Sequence, residues 1–194
     1  MITREGLMKK NLGFTLIELL FVILITCLLS FMAAGMWSSL QLRMEARSVI
    51  AMLANSLYLA RNTAISTQIP VTVCGSRNAT VCDGQWQSGV LVFSDVSGND
   101  SPSATKNILG FYPTASPTSV IEWRGFGSKT HVRFDRMGRT SASNGGFIYC
   151  PGNKDIHYAR QVIINRGGRV RFSADRDGDG MHEDSSGNTL RCPG

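Results

Sequence analysis

Apolar residues are distributed along this chain in three different ways, and each predicts a different element. From Phe14 to Trp37, 24 residues carry one charge, Glu18. As a helix rising 1.5 Å per residue, such a run extends about 36 Å, more than the ~30 Å hydrocarbon core of a bilayer. Next, Ala46, Val49, Ile50, Leu53, Leu57, Ala60 and Ala64 recur at spacings of three and four, while Arg43, Glu45, Arg47, Asn55 and Arg61 fall mostly elsewhere. That is one apolar stripe on an amphipathic helix. No proline occurs before Pro70, so the pattern predicts one helix from about Phe14 to Ile65. Gly35 is the weak point within it, at a cost of about 1 kcal/mol relative to alanine.

After Pro70 the pattern changes to short β-type runs broken by Gly, Ser, Asn and Asp. These are Val71 to Cys74, Gly89 to Ser94, Asn107 to Tyr112, Val120 to Trp123, His131 to Asp135, Gly146 to Cys150, Gln161 to Asn165 and Arg169 to Phe172. Asn165-Arg166-Gly167-Gly168 reads as a hairpin turn between the last two. No βαβ alternation is present, so the sheets are expected to be largely antiparallel. The fold class is α+β, one long helix packed on a β-rich head. The expected organisation is a leader over 1–13, a transmembrane or filament-core helix over 14–37, its amphipathic continuation over 38–66 and the head over 67–194.

With 194 residues the chain has room for one domain and an appendage. Its 43% apolar and 18% charged residues exclude an acidic disordered tail and a strict coiled coil. Mean hydropathy near zero averages a membrane-like helix with a polar head. Charge is also uneven. Residues 124–171 hold Arg124, Lys129, Arg133, Arg136, Arg139, Lys154, Arg160, Arg166, Arg169 and Arg171 against Asp135 and Asp155, a local excess of +8 in a chain of net charge +6.

Arg4, Lys9 and Lys10 precede the apolar run, which keeps that end cytoplasmic and sends the chain outward. Three readings compete: a secretory signal, a permanent membrane helix, or a leader cut before the apolar run. Ala33-Ala34-Gly35 offers a signal-type cleavage site, but the run exceeds a signal's apolar region. Glu18 also argues against a plain anchor, since a carboxyl within a spanning helix costs about 2.5–3.5 kcal/mol and calls for a partner.

Gly13-Phe14-Thr15-Leu16-Ile17-Glu18-Leu19-Leu20 resembles the prepilin signature of type IV pilins and type II secretion pseudopilins. The resemblance implies cleavage after Gly13 by a prepilin peptidase, methylation of the new amino group on Phe14, and Glu18 as fifth residue of the mature chain. The Glu18 carboxylate would then meet the N-terminal amine of a neighbouring subunit. Removing the leader leaves 17 basic against 13 acidic residues, or +4. In the head, Trp86, Gly89, Val92, Phe93 and Asp95 stand as W-x-x-G-x-x-V-F-x-D, followed later by Gly168-Arg169-Val170-Arg171. This resembles the head of H-type pseudopilins and FimT/FimU-like minor pilins, a likeness covering nearly the whole chain from Gly13. Trp86 and Phe93 are themselves expected in the core.

Cys27 lies in the apolar run as a lone thiol. Cys74, Cys82, Cys150 and Cys192 allow three pairings. The reading adopted joins Cys74 to Cys82 around a polar turn and Cys150 to Cys192 across the tail, as suits an oxidising periplasm. Zinc is the rival, but C-x-x-C spacing is absent and the three histidines are scattered.

Arg133, Arg136, Arg139, Arg160, Arg166, Arg169 and Arg171 are the candidate phosphate-binding residues. Arg169 and Arg171 alternate along a strand and so share a face, and guanidinium forks suit phosphate oxygens. Tyr149, His157 and Tyr158 are candidate base-stacking residues. Gly168-Arg169-Val170-Arg171 also matches a G-R-x-R pattern implicated in DNA binding by FimT-like pilins, which implies double-stranded DNA as a partner; the competing readings are a solvated basic face or salt bridges to acidic neighbouring subunits. Asp175-Arg176-Asp177-Gly178-Asp179-Gly180 places carboxylates at positions one, three and five and glycine at six of a Ca²⁺ loop, with Glu183 at nine but Ser186 at twelve. Asp175, Asp177 and Asp179 are therefore candidate Ca²⁺ ligands, a polar turn being the alternative; no other cofactor is expected.

No nucleophile elbow, H-E-x-x-H or phosphate loop is present, so no enzymatic activity is expected. The sequence reading is a minor type IV pilin, with an H-type pseudopilin of a type II secretion system as alternative. Expected partners are other pilins or pseudopilins, the prepilin peptidase and the inner membrane. The precursor would cross that membrane once, with the head in the periplasm, before assembly into a fibre.

Overall fold

The structure is a computed structural model describing residues 13–98, 101–102, 105–114, 118–126, 130–140 and 144–193, with 32–36 and 106 described by backbone alone. The leader residues 1–12 and Lys129 lie outside the described residues. Two compact units are present, Met1–Gln41 and Leu42–Gly194. A single helix, α1 (Leu16–Thr67), enters both. It begins at Thr15, whose hydroxyl accepts from the Glu18 amide at 3.3 Å and whose carbonyl accepts from the Leu19 amide at 3.2 Å. A threonine followed three residues later by glutamate is a helix-start pattern, and the acid in the first turn complements the helix dipole.

Eight strands follow among the described residues: β1 (Val71–Gly75), β2 (Gly89–Ser94), β3 (Ile108–Pro113), β4 (Val120–Gly125), β5 (His131–Phe134), β6 (Gly145–Cys150), β7 (Arg160–Ile164) and β8 (Val170–Phe172). They form two four-stranded sheets, ordered β3-β2-β1-β5 and β4-β6-β7-β8. Every pairing among the described residues is antiparallel, in keeping with the absence of βαβ units in the sequence.

One core joins the second unit's part of α1 to both sheets. Ala46, Val49, Leu53, Ala54, Leu57, Ala60 and Ala64 are buried against Val71, Val73, Val90, Val92, Val132 and Phe134 of the first sheet and Phe147, Tyr149, Val162 and Ile164 of the second. Strand alternation puts the remaining side chains on the opposite faces. Cys74, Leu91 and Phe93 thus form a satellite core with Ile108 and Phe111. Ile148 and Cys150 form another with Ala159 and Leu190. A disulfide lies in each satellite, Cys74–Cys82 and Cys150–Cys192. The second holds down residues 173–193, where only isolated bridges pair Ala174 with Glu183 and Glu183 with Thr189.

The inward face of α1 has a direct test. Leu57 is fully buried, whereas its neighbour Tyr58 is exposed. Leu57→Ala should lower unfolding stability by about 2–5 kcal/mol through lost burial and a residual cavity, and Tyr58→Ala by ~0.5 kcal/mol or less. Denaturant unfolding of the two variants would show equal losses if the stripe were not the packed face.

Candidate functional site

Two turns, one from each sheet, meet at the head's main basic feature. The turn after β5 is organised by Asp135. Its backbone carbonyl accepts from the Gly138 amide at 2.8 Å, and its Oδ1 accepts from the amides of Met137 at 2.8 Å and Arg139 at 3.0 Å. The turn between β7 and β8 closes through Gly168, whose φ of +71° favours glycine and whose amide donates to the Asn165 carbonyl at 2.9 Å. Thr140 ties the turns together, its amide donating to the Arg166 carbonyl at 2.9 Å and its hydroxyl to the Asn165 carbonyl at 2.8 Å. A Cβ on Gly168 would overlap the Gly138 carbonyl oxygen, so the close approach requires glycine there.

This junction sorts the candidate arginines. Arg136, Arg166, Arg169 and Arg171 are exposed around it or on adjacent β8, and none makes an ion pair among the described residues. Arg139 is exposed at the same junction, but its Nε donates to Asp135 Oδ2 at 3.1 Å. Arg133 has an internal role. Its Nη1 lies 3.5 Å from Asp95 Oδ2 and donates to the Gly98 carbonyl at 3.3 Å. Asp95 is buried and also accepts from the Thr72 hydroxyl at 3.2 Å and the Gly98 amide at 2.9 Å. The final aspartate of the W-x-x-G-x-x-V-F-x-D pattern is therefore an anchor between β1, β2 and β5.

Arg160 belongs to a different place. Its Nη1 donates to the carbonyls of His157 at 2.9 Å and Ala159 at 2.7 Å. Burial lowers its pKa first, and Arg47 and Arg43 of α1 lower it further. Tyr149 departs from its expected stacking role because it is fully buried. Its hydroxyl donates to Glu45 Oε1 at 2.7 Å, and burial followed by the Glu45 carboxylate pushes its pKa far up. His157 is exposed and Tyr158 half-buried. Trp86 packs with Phe147 at 4.6 Å between ring centroids and with Trp123 at 6.4 Å, placing it in the core.

At the other end of the chain, Gly13 is exposed with open space around its Cα. Phe14, Leu16, Leu19, Phe21, Leu28 and Phe31 are exposed along the first part of α1, as is Glu18. Among the described residues no helix is long and apolar enough to cross a membrane. The contiguous part whose side chains are described, 16–31, is shorter than the roughly 20 residues a crossing requires, and the expected span 14–37 continues through 32–36. Asp175, Asp177 and Asp179 lie together on an exposed loop with the buried Glu183. Glu183 is a member that the spacing of the three aspartates alone did not fix.

Asp135 supplies a pH test of the junction. Partial burial raises its pKa, but the amides of Arg139 and Met137 and the Arg139 guanidinium outweigh this, leaving it below the ordinary 3.8. A depressed carboxyl pKa contributes stability that is present above the unfolded value and lost as pH falls through the folded value. Asp135→Asn should therefore be less stable than the parent at pH 6, with the difference shrinking below about pH 4. Melting curves whose difference stayed constant from pH 6 to pH 3 would contradict this.

Similarities to known proteins agree with this architecture. The sequence model of the family described as type II transport protein GspH matches residues 50–168. That of the prokaryotic N-terminal methylation motif matches residues 8–34, which include Gly13, Phe14 and Glu18. Comparison with curated proteins gives no match. Among solved structures, the chain resembles the type IV minor pilin FimU of Pseudomonas aeruginosa PAO1 at 17% identity and a TM-score of 0.51, covering 71% of this chain and 91% of that one. It resembles the minor pseudopilin EpsH of the Vibrio cholerae type 2 secretion system at 10% identity and a TM-score of 0.50, covering 67% and 97%. At these identities the structural likeness establishes the pilin-like fold. With the family match extending over more than half its length, the chain belongs to the GspH family of H-type pseudopilins and minor pilins and carries the family's N-terminal methylation motif.

Proposed function

We propose that this chain is a minor type IV pilin, made as an inner-membrane precursor with its head in the periplasm, cut after Gly13 and methylated on Phe14. It then enters a fibre through the first part of α1. The observation that carries this reading is the exposure of Phe14, Leu16, Leu19, Phe21, Leu28 and Phe31 behind the capped turn holding Glu18. Apolar surface of this extent needs lipid or neighbouring helices around it, and Glu18 among such helices needs a cation. A neighbouring subunit's N-terminal amine supplies that charge without adding a side chain. In this role the protein is structural and has no catalytic step.

The exposed arginines support a second activity on the same head, the binding of double-stranded DNA during uptake. Arg136, Arg166, Arg169 and Arg171 gather at a junction pinned by backbone hydrogen bonds. Positioned guanidinium groups engage phosphate oxygens without reading sequence, and such contacts weaken as salt rises. Arg133, paired with buried Asp95, and Arg160, donating to two carbonyls, stand outside the surface proposed here. A pseudopilin of a type II secretion system remains the rival machine, favoured by the description of the matching family.

A deletion strain scored separately for twitching, transformation and protein secretion distinguishes the machines. Loss of twitching or transformation with normal secretion is expected, whereas loss of secretion alone would assign the chain to the secretion system. For DNA, Arg169→Gln/Arg171→Gln should weaken binding and flatten the slope of log affinity against log salt by about 1–2 units, roughly 0.9 per lost phosphate contact. A double variant that retards duplex DNA as well as the parent would remove the DNA role while leaving the pilin reading in place.

A further inference from the structure

Residues 173–193 contain a buried group that the fibre role does not explain. Glu183 is only 6% exposed. Its Oε2 accepts from the Arg176 amide at 2.9 Å, but Oε1 is buried and meets no hydrogen-bond donor among the described residues. A buried carboxylate oxygen left in this way is costly, because desolvation is not repaid. Around Glu183 stand more acids, Asp175, Asp177 and Asp179, all exposed. No Lys, Arg or His makes an ion pair with any of the four among the described residues.

Their geometry fits one hard cation. One carboxylate oxygen from each residue can be chosen so that all four lie within 4.8 Å of one another. Oxygen ligands at about 2.3–2.6 Å from Ca²⁺ can be separated by at most ~4.6–5.2 Å across the ion, whereas Mg²⁺ at 2.0–2.1 Å demands a shell no wider than ~4.2 Å. Backbone amides fix the aspartates. Asp175 accepts from Gly178 at 2.7 Å and Gly180 at 2.9 Å, Asp177 from Asp179 at 3.2 Å, and Asp179 from Met181 at 2.8 Å. Gly180, with φ of +86°, makes the sharp turn expected at position six. The bidentate acid of a helix-flanked Ca²⁺ loop is missing at position twelve, where Ser186 stands; the buried acid lies at position nine instead.

We propose that Asp175, Asp177, Asp179 and Glu183 form a calcium site, with Glu183 Oε1 as its buried ligand. The site closes the C-terminal segment onto the second sheet. Glu183 lies at the centre of that closure. Its amide donates to the Ala174 carbonyl at 3.1 Å, its backbone bridges to both Ala174 and Thr189, and the adjacent His182 carbonyl accepts from the Leu190 amide at 2.9 Å. Leu190 enters the satellite core beside Cys150, whose disulfide partner is Cys192. An ion bound to the Glu183 carboxylate and the Asp175–Asp179 loop therefore fixes both sides of this small ladder.

The test uses the full chain in detergent, titrated calorimetrically with CaCl₂ and with MgCl₂ and melted in EDTA, 10 mM Ca²⁺ or 10 mM Mg²⁺. Calcium should bind at one site per chain and raise Tm by about 5 °C or more if the dissociation constant is near 10⁻⁴ M. Magnesium should do much less. Asp177→Asn/Asp179→Asn alters exposed positions only and should abolish the calcium shift. Glu183→Gln should abolish it too while melting no lower than the parent in EDTA, because a neutral amide relieves the buried charge. Absence of calcium binding at millimolar concentration, an equal response to magnesium, or an undiminished shift in the double Asn variant would overturn the proposal. None of these outcomes bears on pilus assembly.

Discussion

The head depends on the inward face of α1, because both sheets use that face as their common core wall. Four of its buried positions, Ala46, Ala54, Ala60 and Ala64, carry only a methyl group, while Val49, Leu53 and Leu57 fill the core shared with strands of both sheets. The larger side chains each contribute about 1.5–3 kcal/mol of burial. A polar tie fixes the arrangement further. Tyr149 must satisfy its buried hydroxyl and does so on Glu45 across the helix–sheet contact. Since its surroundings push the phenol pKa up, it remains a donor at every physiological pH.

Beyond that core, hydrogen bonds from Thr140 join a turn of each sheet, and each arginine's own partners decide how much of its charge is answered. The sequence window 124–171 counts ten basic groups, but several are answered locally or at a distance. Arg124 Nη2 lies 2.8 Å from Glu122 Oε2, Arg139 is held by Asp135, and Arg133 by Asp95. Glu122 and Asp95 fall outside that window, so its linear charge overstates the field at the surface. The exposed pairs contribute little stability, in the range of ~0–1 kcal/mol. Their effect is to answer part of the window's charge and leave Arg136, Arg166, Arg169 and Arg171 exposed and without an ion pair among the described residues.

This explains why the fold was easier to read than the site. The helix stripe from Ala46 to Ala64 repeats with the period of its own backbone, and alternating runs such as Val71–Val73 and Phe147–Tyr149 do the same for strands. These signals are local. The Asn165–Gly168 turn was equally legible because glycine chemistry announces it. Partnership between Arg133 and Asp95, or between Tyr149 and Glu45, depends on contacts 38 and 104 residues apart in sequence. No periodicity encodes them, and Tyr149 thus looked like an available aromatic beside arginines. Glu183 is visible in sequence as the ninth position of an acidic loop, but its burial, and an Oε1 with no hydrogen-bond partner among the described residues, depend on contacts that no local pattern encodes.

Closure of the chain is uneven in a way that follows from these contacts. In the head, apolar groups are covered and the buried Asp95, Thr72 and Tyr149 find partners, while Arg61 Nε, Asn144 Oδ1, Gln161 Oε1 and Glu183 Oε1 are buried with no hydrogen-bond partner among the described residues. The first part of α1 carries exposed apolar side chains. The Cys150–Cys192 bond keeps the segment near Glu183 against the sheet despite its sparse ladder, since closing a loop with a sequence separation of 42 restricts the unfolded chain by roughly 4 kcal/mol on the entropic account. A covalent tie thus holds in place a segment whose own backbone ladder is sparse.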